Sequence, residues 1–220
     1  MNDNEKGIQA LQEERFEEAI QSFMQAIEKQ PEDPVGYINL GNVFAAVNDI
    51  EKAEQFFQQA IVLDDKAATA YYSLANLYYN TERFDEAARL YEQSIQLEMD
   101  GADAYYMLAK SFEHLGKLQL ALPYSLRASE LAEDDVQIQL TYGIHLAQLE
   151  LFNEALLQFK KVLQLDDEQA DAHYNLGLVY AVSTNEKEKA IDHLERAFTI
   201  EPNHIQAREI HTMITSALNQ

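Results

Sequence analysis

Two consecutive stretches decide the fold: PVGYINLGNVFAAVNDIEKAEQFFQQAIVLDDKA at residues 34–67 and ATAYYSLANLYYNTERFDEAARLYEQSIQLEMDG at residues 68–101. Aligned end to end, they place the small residues Gly41 and Ala75 at the same position, 34 residues apart. The series extends along the whole chain as Gly7, Gly41, Ala75, Ala109, Gly143 and Gly177. A period of 34 residues is typical of helix–turn–helix repeats, which stack because no single unit can bury its own apolar face.

The repeat can be numbered from 1 to 34 with the first small residue at position 8. This numbering predicts one domain over residues 1–220, made of repeats at about 1–33, 34–67, 68–101, 102–135, 136–169 and 170–204. Beyond the last repeat, the apolar residues of 205–218 fall on one face of a helical wheel. We therefore predict a C-terminal helix over this segment that caps the array.

The repeats resemble the tetratricopeptide repeat (TPR) family. The second repeat supplies that family's pattern of large and small residues as Tyr37, Leu40, Gly41, Phe44, Ile50, Ala53, Phe57 and Ala60. Small residues let the helix axes approach closely, and the large ones fill the space between them. The resemblance implies an all-α fold, a right-handed TPR α-solenoid of six helix–turn–helix repeats plus the capping helix. The stand-alone layout is similar to that of small cytoplasmic TPR proteins of bacteria.

Two repeats depart from the pattern. The first has Asp3 and Lys6 where large apolar residues belong, which predicts a degenerate, frayed first helix. The sixth carries one extra residue in the turn TNEKEKA, residues 184–190. We expect this turn to be the least well packed of the array.

Composition limits the function. The chain has 16 Lys and Arg against 38 Asp and Glu, for a formal net charge of −22, which disfavours binding to nucleic acid and to anionic membranes. It has no cysteine, hence no disulfide or thiolate site, and no segment of transmembrane length. The first residues lack the basic and apolar regions of a secretory signal, so we expect a cytoplasmic location.

No motif for catalysis stands out. The sequence has no Gly-rich phosphate loop, no HExxH and no GxSxG, and its aspartate pairs lack the spacing of a calcium loop. We therefore predict a protein that is not an enzyme and that uses no metal or cofactor.

The resemblance places the candidate site in a concave groove lined by the first helix, A, of each repeat. In the family, positions 2, 5, 6, 9, 12 and 13 face this groove. The candidate residues in this sequence are Asn39, Asn42, Tyr72, Asn76, Tyr79, Asn80, Tyr106, Lys110, His114, Tyr174 and Asn175. Asn side chains can pair with an extended peptide backbone, and Tyr offers apolar area with a polar tip. The predicted partner is a protein or peptide segment, neutral to basic in charge.

One well-known groove ligand is disfavoured. Family members that clamp the C-terminal carboxylates of heat-shock chaperones need Lys and Arg at defined groove positions. Here Ile38, Tyr72, Asp103 and Met107 occupy those positions. Two alternatives to a groove-binding adaptor remain open: a self-associating homo-oligomer, suggested by the apolar pair Ile8 and Leu11, and a regulator that responds to a bound peptide.

Overall fold

The computed structural model describes residues 2–184 and 186–218, and every regular element in these ranges is an α-helix. The chain divides into two compact units, residues 1–116 and 117–220. Helices alternate between the first (A) and second (B) helix of each repeat. No helix of the described residues combines the length and the apolar character needed to cross a lipid bilayer. The predicted all-α fold is confirmed.

The first unit contains seven helices, in which α1, α3, α5 and α7 are A helices. Their bounds are α1 Asp3–Gln12, α2 Phe16–Lys29, α3 Pro34–Ala46, α4 Ile50–Leu63, α5 Ala68–Asn80, α6 Phe84–Gln96 and α7 Ala102–His114. Each helix packs on the next along the chain, and α3 also contacts the A helices on both sides of it, α1 and α5. The A helices of this unit therefore form one continuous face.

The second unit contains the remaining six helices of the described residues. Their bounds are α8 Leu118–Leu131, α9 Val136–Gln148, α10 Phe152–Leu165, α11 Ala170–Ser183, α12 Lys187–Ile200 and α13 Ile205–Leu218. Helices α9 and α11 are its A helices, and they contact each other. The core centres on Leu140, Phe159, Leu176 and neighbouring apolar side chains.

Contact between a glycine and an aromatic ring sets the distance between paired helices. A Cβ atom added to Gly41 would lie 2.6 Å from Cε1 of Phe57, and one added to Gly143 would lie 2.7 Å from Cε1 of Phe159. Both rings are fully buried, so they have no free space into which to move. In these two repeats the glycine at position 8 is thus required by the buried ring opposite it.

The turn between the two helices of a repeat uses one left-handed residue. Glu14, Asn48, Glu82, Gly116 and Glu150 have φ between 57° and 68°, and all occupy position 15 of their repeats. Thr184, at the same position of the sixth repeat, is extended with φ −133°. The sixth turn therefore departs from the shared left-handed conformation at Thr184. Asn185 of this turn lies outside the described residues. The prediction that this turn is the least well packed is therefore not tested at that residue.

The first helix is well formed, and the prediction of a frayed helix is wrong. Asn2 and Glu5 form a reciprocal capping box at its start, with both hydrogen bonds at 2.8 Å. Asp3 forms ion pairs with Lys29 at 2.5 Å and with Lys6 at 3.7 Å. Leu11 packs on the core, whereas Ile8 remains 43% exposed. Capping and ion pairing replace the missing apolar residues.

A buried amide replaces the expected aromatic residue in the fifth repeat. Gln139 is fully buried and donates to the carbonyl oxygens of Ser129 at 2.6 Å and Ala132 at 2.8 Å. Its own Oε1 accepts a hydrogen bond from Gln158 at 2.7 Å. Because its donors and acceptor are paired, the side chain avoids the cost of an unsatisfied buried polar group.

The C-terminal helix spans Ile205–Leu218, the segment predicted from the sequence. Ala207, Ile210 and Ile214 pack against Leu194 and Ala197, as expected for a cap. Met213, predicted to share that face, is 70% exposed. On a helical wheel it lies at the edge of the apolar stripe.

The contact between Gly41 and Phe57 predicts the effect of a substitution on stability. Gly41→Val should lower the free energy of unfolding by about 2–3 kcal/mol, because the added methyl groups overlap the buried ring. Phe57→Leu, made in the Gly41→Val background, should recover part of this loss. Denaturant unfolding followed by circular dichroism measures both effects.

Gly101→Val is the control for this prediction, because a Cβ atom at Gly101 meets nothing within 4 Å. It should cost under about 1 kcal/mol, mainly through the weaker helix cap. Equal losses for Gly41→Val and Gly101→Val, or strictly additive effects of Gly41→Val and Phe57→Leu, would contradict the packing argument.

Candidate functional site

The predicted groove residues divide between the two units. Nine of them lie on α3, α5 and α7 of the first unit, and Tyr174 and Asn175 lie on α11 of the second. We call the side chains at positions 2, 5, 6, 9, 12 and 13 of the A helices the A-helix face. The two parts of this face differ in chemistry and are described in turn.

A cavity of about 240 Å³ opens on the A-helix face of the first unit, between α3 and α5. Apart from Leu77, its A-helix lining is polar or small, and the buried ring of Phe57 forms part of its wall. The lining residues are Asn42, Ala45, Asn48, Ile50, Phe57, Ser73, Asn76, Leu77, Asn80 and Thr81. Three of the predicted site residues, Asn42, Asn76 and Asn80, thus meet in one place, which we call the amide cavity.

The orientation of the Asn76 side chain is set by a hydrogen bond from a buried tyrosine. Tyr91 is fully buried, and its hydroxyl donates to Asn76 Oδ1 at 2.6 Å. Burial raises the pKa of Tyr91 far above its usual range, which keeps this hydroxyl a donor. The Tyr72 ring meets the Tyr91 ring edge-on, with centroids 5.6 Å apart. The amide of Asn76 is therefore fixed in orientation before any ligand arrives.

Asn42 and Asn80 differ from Asn76 in having no hydrogen bond from their side chains to other described residues. Asn80 is exposed and Asn42 is half-buried at the cavity wall. Each carries two amide donors and one carbonyl acceptor, the complement of a peptide group. The amide cavity thus presents one fixed amide beside two whose hydrogen bonds are available to a ligand.

An aromatic cluster lies next to the amide cavity on the same face. The Tyr79 hydroxyl is 3.0 Å from His114 Nε2, and the His114 ring stacks on Phe84 with centroids 4.3 Å apart. Burial raises the pKa of Tyr79, so its hydroxyl remains protonated near neutral pH. Phe84 was not among the predicted site residues, because its position in the repeat is one that normally fills the core.

The only cation predicted for this face is paired within the chain. Lys110 Nζ donates to Glu113 Oε2 at 2.6 Å, and both side chains are about one quarter exposed. Burial lowers the pKa of Lys110, but the hydrogen bond and charge of Glu113, together with the nearby Tyr106 and Tyr79, outweigh this and leave the pKa above its ordinary value. Tyr106 lies half-buried close to Lys110. This part of the face is therefore polar without a net positive charge.

Asn39 occupies the edge of the face toward α1. Its Nδ2 donates to Asn4 Oδ1 at 3.4 Å, a long bond between neighbouring A helices. It is absent from the lining of the amide cavity.

The second unit carries a cavity of about 330 Å³ with apolar walls, between α9 and α11. It is lined by Ile144, Ala147, Gln148, Phe152, Asn175, Leu178, Val179 and Val182. Of the predicted site residues it contains only Asn175, whose Nδ2 donates to the Asp171 carbonyl oxygen at 2.7 Å. We call it the apolar cavity. An apolar site here could have been predicted from the sequence, because Ile144 and Leu178 occupy groove position 9 and Val182 occupies position 13.

A third depression, of about 250 Å³, lies where α11 meets the start of α13. Its lining is Asp171, Tyr174, Glu201, Asn203, His204 and Gln206. The Tyr174 and His204 rings lie 4.6 Å apart, and burial followed by the charge of Asp171 raises the pKa of Tyr174. We call this depression the acidic cleft.

The hydrogen bond from Tyr91 to Asn76 yields a prediction that links the core to the site. Asn76→Ala should lower the free energy of unfolding by about 1–3 kcal/mol, because it leaves a buried hydroxyl without its partner. In a Tyr91→Phe background, where that hydroxyl is gone, the same substitution should cost less. Chemical unfolding of the four proteins of this cycle gives the coupling. A coupling energy of zero would mean that Tyr91 does not hold Asn76.

The comparisons with known proteins agree with this geometry. A family model described as the cilia and flagella-associated protein 70 C-terminal domain matches residues 7–178, and one described as a tetratricopeptide repeat matches residues 170–204. No curated protein matches the sequence.

Three solved structures illustrate the likeness. YrrB, described as "a TPR protein with an unusual peptide-binding site", is 39% identical, covers 86% of this chain and 97% of its own, and has a TM-score of 0.81. PilF of Pseudomonas aeruginosa is 16% identical over 94% of both chains, with a TM-score of 0.78. MamA is 17% identical over 80% of this chain and 96% of its own, with a TM-score of 0.73. The chain belongs to the tetratricopeptide repeat family.

Proposed function

We propose that this protein is a non-enzymatic adaptor that holds an extended segment of a partner protein on the A-helix face of its first unit. The observation that carries the proposal is the amide cavity. There Asn42 and Asn80 have donors and acceptors available, and Asn76 is fixed beside them by Tyr91. An extended chain exposes one donor and one acceptor per residue, which matches this lining.

The surroundings of the amide cavity suit main-chain recognition rather than recognition of one charged group. Lys110 is neutralised by Glu113, so a carboxylate would find no unpaired lysine there. The half-buried rings of Tyr72 and Tyr79 offer flat area against which a backbone can lie. YrrB, the relative at 39% identity, is described as having a peptide-binding site, which supports a peptide as the ligand class.

Charge favours a neutral or basic partner. With a net charge of −22, the protein attracts basic segments over several ångströms and repels acidic ones. We propose that the protein acts in the cytoplasm, as predicted from its sequence. A self-associating role has weaker support, since Leu11 of the suspected apolar pair packs on the core and only Ile8 is left exposed.

The test begins with selection of binding peptides by the full-length protein from a phage-displayed library of random peptides. The Kd of a selected peptide is then measured by fluorescence anisotropy. Asn42→Ala combined with Asn80→Ala should weaken binding about tenfold, the effect of losing two hydrogen bonds. These positions suit the test better than Tyr72, because Tyr72 packs on Tyr91 and its replacement would disturb the core.

The matched control replaces two exposed amides on B helices, Gln59→Ala combined with Asn153→Ala. It should leave the Kd unchanged. A selected peptide that binds the Asn42→Ala/Asn80→Ala protein as tightly as the wild type would place binding elsewhere on the molecule.

A further inference from the structure

The A-helix face of α11 carries residues of two sites of different chemistry that the proposed function does not use. Asp171 lies at its start in the acidic cleft, and Leu178 and Val182 lie toward its end in the apolar cavity. All three occupy groove positions of the sixth repeat, so they share the A-helix face of the second unit. Val182 is 68% exposed and the Asp171 side chain 60%, and both are therefore accessible.

His204 gives the acidic cleft an unsatisfied donor. The residue is 8% exposed, and its Nδ1 accepts the backbone N–H of Ala207 at 3.3 Å, which caps α13. With Nδ1 acting as an acceptor, the ring proton lies on Nε2. This Nε2 has no hydrogen-bond partner, and the nearest carboxylate oxygen, Oδ1 of Asp171, is 3.6 Å away. A buried donor without a partner indicates that a ligand or water completes the site.

The charges around His204 Nε2–H determine which class of ligand can bind in the acidic cleft. Asp171 and Glu201 flank the cleft, so an anion would be repelled even though Nε2–H needs an acceptor. A peptide carbonyl is a neutral acceptor, and a basic side chain on the same peptide would pair with Asp171 or Glu201. The Tyr174 ring beside His204 adds a face that attracts a cation.

The apolar cavity selects a second feature of the same ligand. Its walls are formed by Ile144, Phe152, Leu178 and Val182, and Gln148 and Asn175 are the only polar side chains in its lining. Filling it with an aliphatic or aromatic side chain would remove apolar surface from water on both partners. The walls carry no charge that could hold a charged group.

The distance between the acidic cleft and the apolar cavity determines how far apart the basic and apolar side chains of the ligand must be. Asp171 and Leu178 are seven residues apart on one helix, which corresponds to about 10 Å along its axis at about 1.5 Å per residue. An extended peptide advances about 3.3 Å per residue. The two side chains of the ligand are therefore about three residues apart.

We propose that the A-helix face of the second unit binds a peptide segment with a basic side chain in the acidic cleft and an apolar side chain in the apolar cavity, about three residues apart. The basic residue pairs with Asp171 and Glu201, and its neighbouring carbonyl accepts from His204 Nε2–H. This site goes beyond the proposed function and does not depend on the amide cavity of the first unit.

The probe is the neutral-ended heptapeptide acetyl-Ser-Gly-Lys-Gly-Ser-Leu-Gly-amide, titrated into the ¹⁵N-labelled full chain at low salt. Its binding should shift amide signals of α9, α11 and the start of α13. A peptide with Ser in place of Leu should bind about tenfold more weakly, since it loses most of the burial of one side chain. A peptide with Glu in place of Lys should lose as much, through repulsion.

Variants of the protein test each contact separately. Asp171→Asn should weaken binding of the lysine peptide about two- to fivefold, the range for an exposed ion pair, and Asp134→Asn, on an exposed turn, should not. Val182→Asn should weaken binding, while Val62→Asn, an equally exposed valine of the first unit, should not. His204→Asn keeps a capping acceptor for α13 but removes Nε2–H, so it should weaken binding at a temperature where thermal unfolding shows the variant to be fully folded.

Several results would overturn the proposal. These are the absence of shifts at millimolar peptide, a Kd unaffected by the Lys and Leu replacements, or shifts confined to other helices. Sedimentation showing a dimer that Val182→Asn dissociates would mean that a second copy occupies the face instead. The Asn42→Ala/Asn80→Ala protein should bind the heptapeptide as the wild type does. If the α11 variants do not weaken binding, only the proposal for the second unit is contradicted. If the Asn42→Ala/Asn80→Ala variant does not weaken binding, only the proposal for the amide cavity is contradicted.

Discussion

The close contact between a small residue at position 8 and a buried ring opposite it is the constraint on which the rest of the structure depends. Gly41 against Phe57 and Gly143 against Phe159 leave no space for a side-chain carbon on the A helix. In these two repeats the helices can therefore pack at one separation only. The same contact recurs between Gly7 and Phe23 in the first unit, so neighbouring A helices there are held alike and their remaining positions form a face.

Most of that face is free to vary, because only some of its positions, such as those of Ile38 and Leu140, belong to the core. In the first unit it became an amide cavity, in which a buried tyrosine fixes Asn76 and leaves Asn42 and Asn80 available. The same region of the second unit holds aliphatic residues from Ile144 to Val182 and an acidic cleft next to them. We therefore propose that one scaffold offers two kinds of recognition, of a peptide backbone and of particular side chains.

The sequence predicted what depends on periodicity. The all-α fold and the bounds of the last helix followed from the spacing of small and apolar residues, which packing imposes on every repeat. Prediction from the sequence failed where local polar contacts determine the structure. The capping box of Asn2 and Glu5 and the ion pairs of Asp3 order a helix that looked degenerate. Met213 is 70% exposed, although its place in the apolar pattern predicted burial. The link from Tyr91 to Asn76 and the pairing of Lys110 depend on side-chain directions that no period reveals.

The central claim is that the amide cavity recognises the main chain of an extended segment. The most direct measurement is a scan of one selected peptide by N-methylation of each backbone amide, set beside an alanine scan of its side chains. The account predicts one or two adjacent positions where N-methylation weakens the Kd about tenfold and alanine has little effect. Uniform tolerance of N-methylation, with all the losses coming from alanine, would contradict it and assign binding to side-chain pockets.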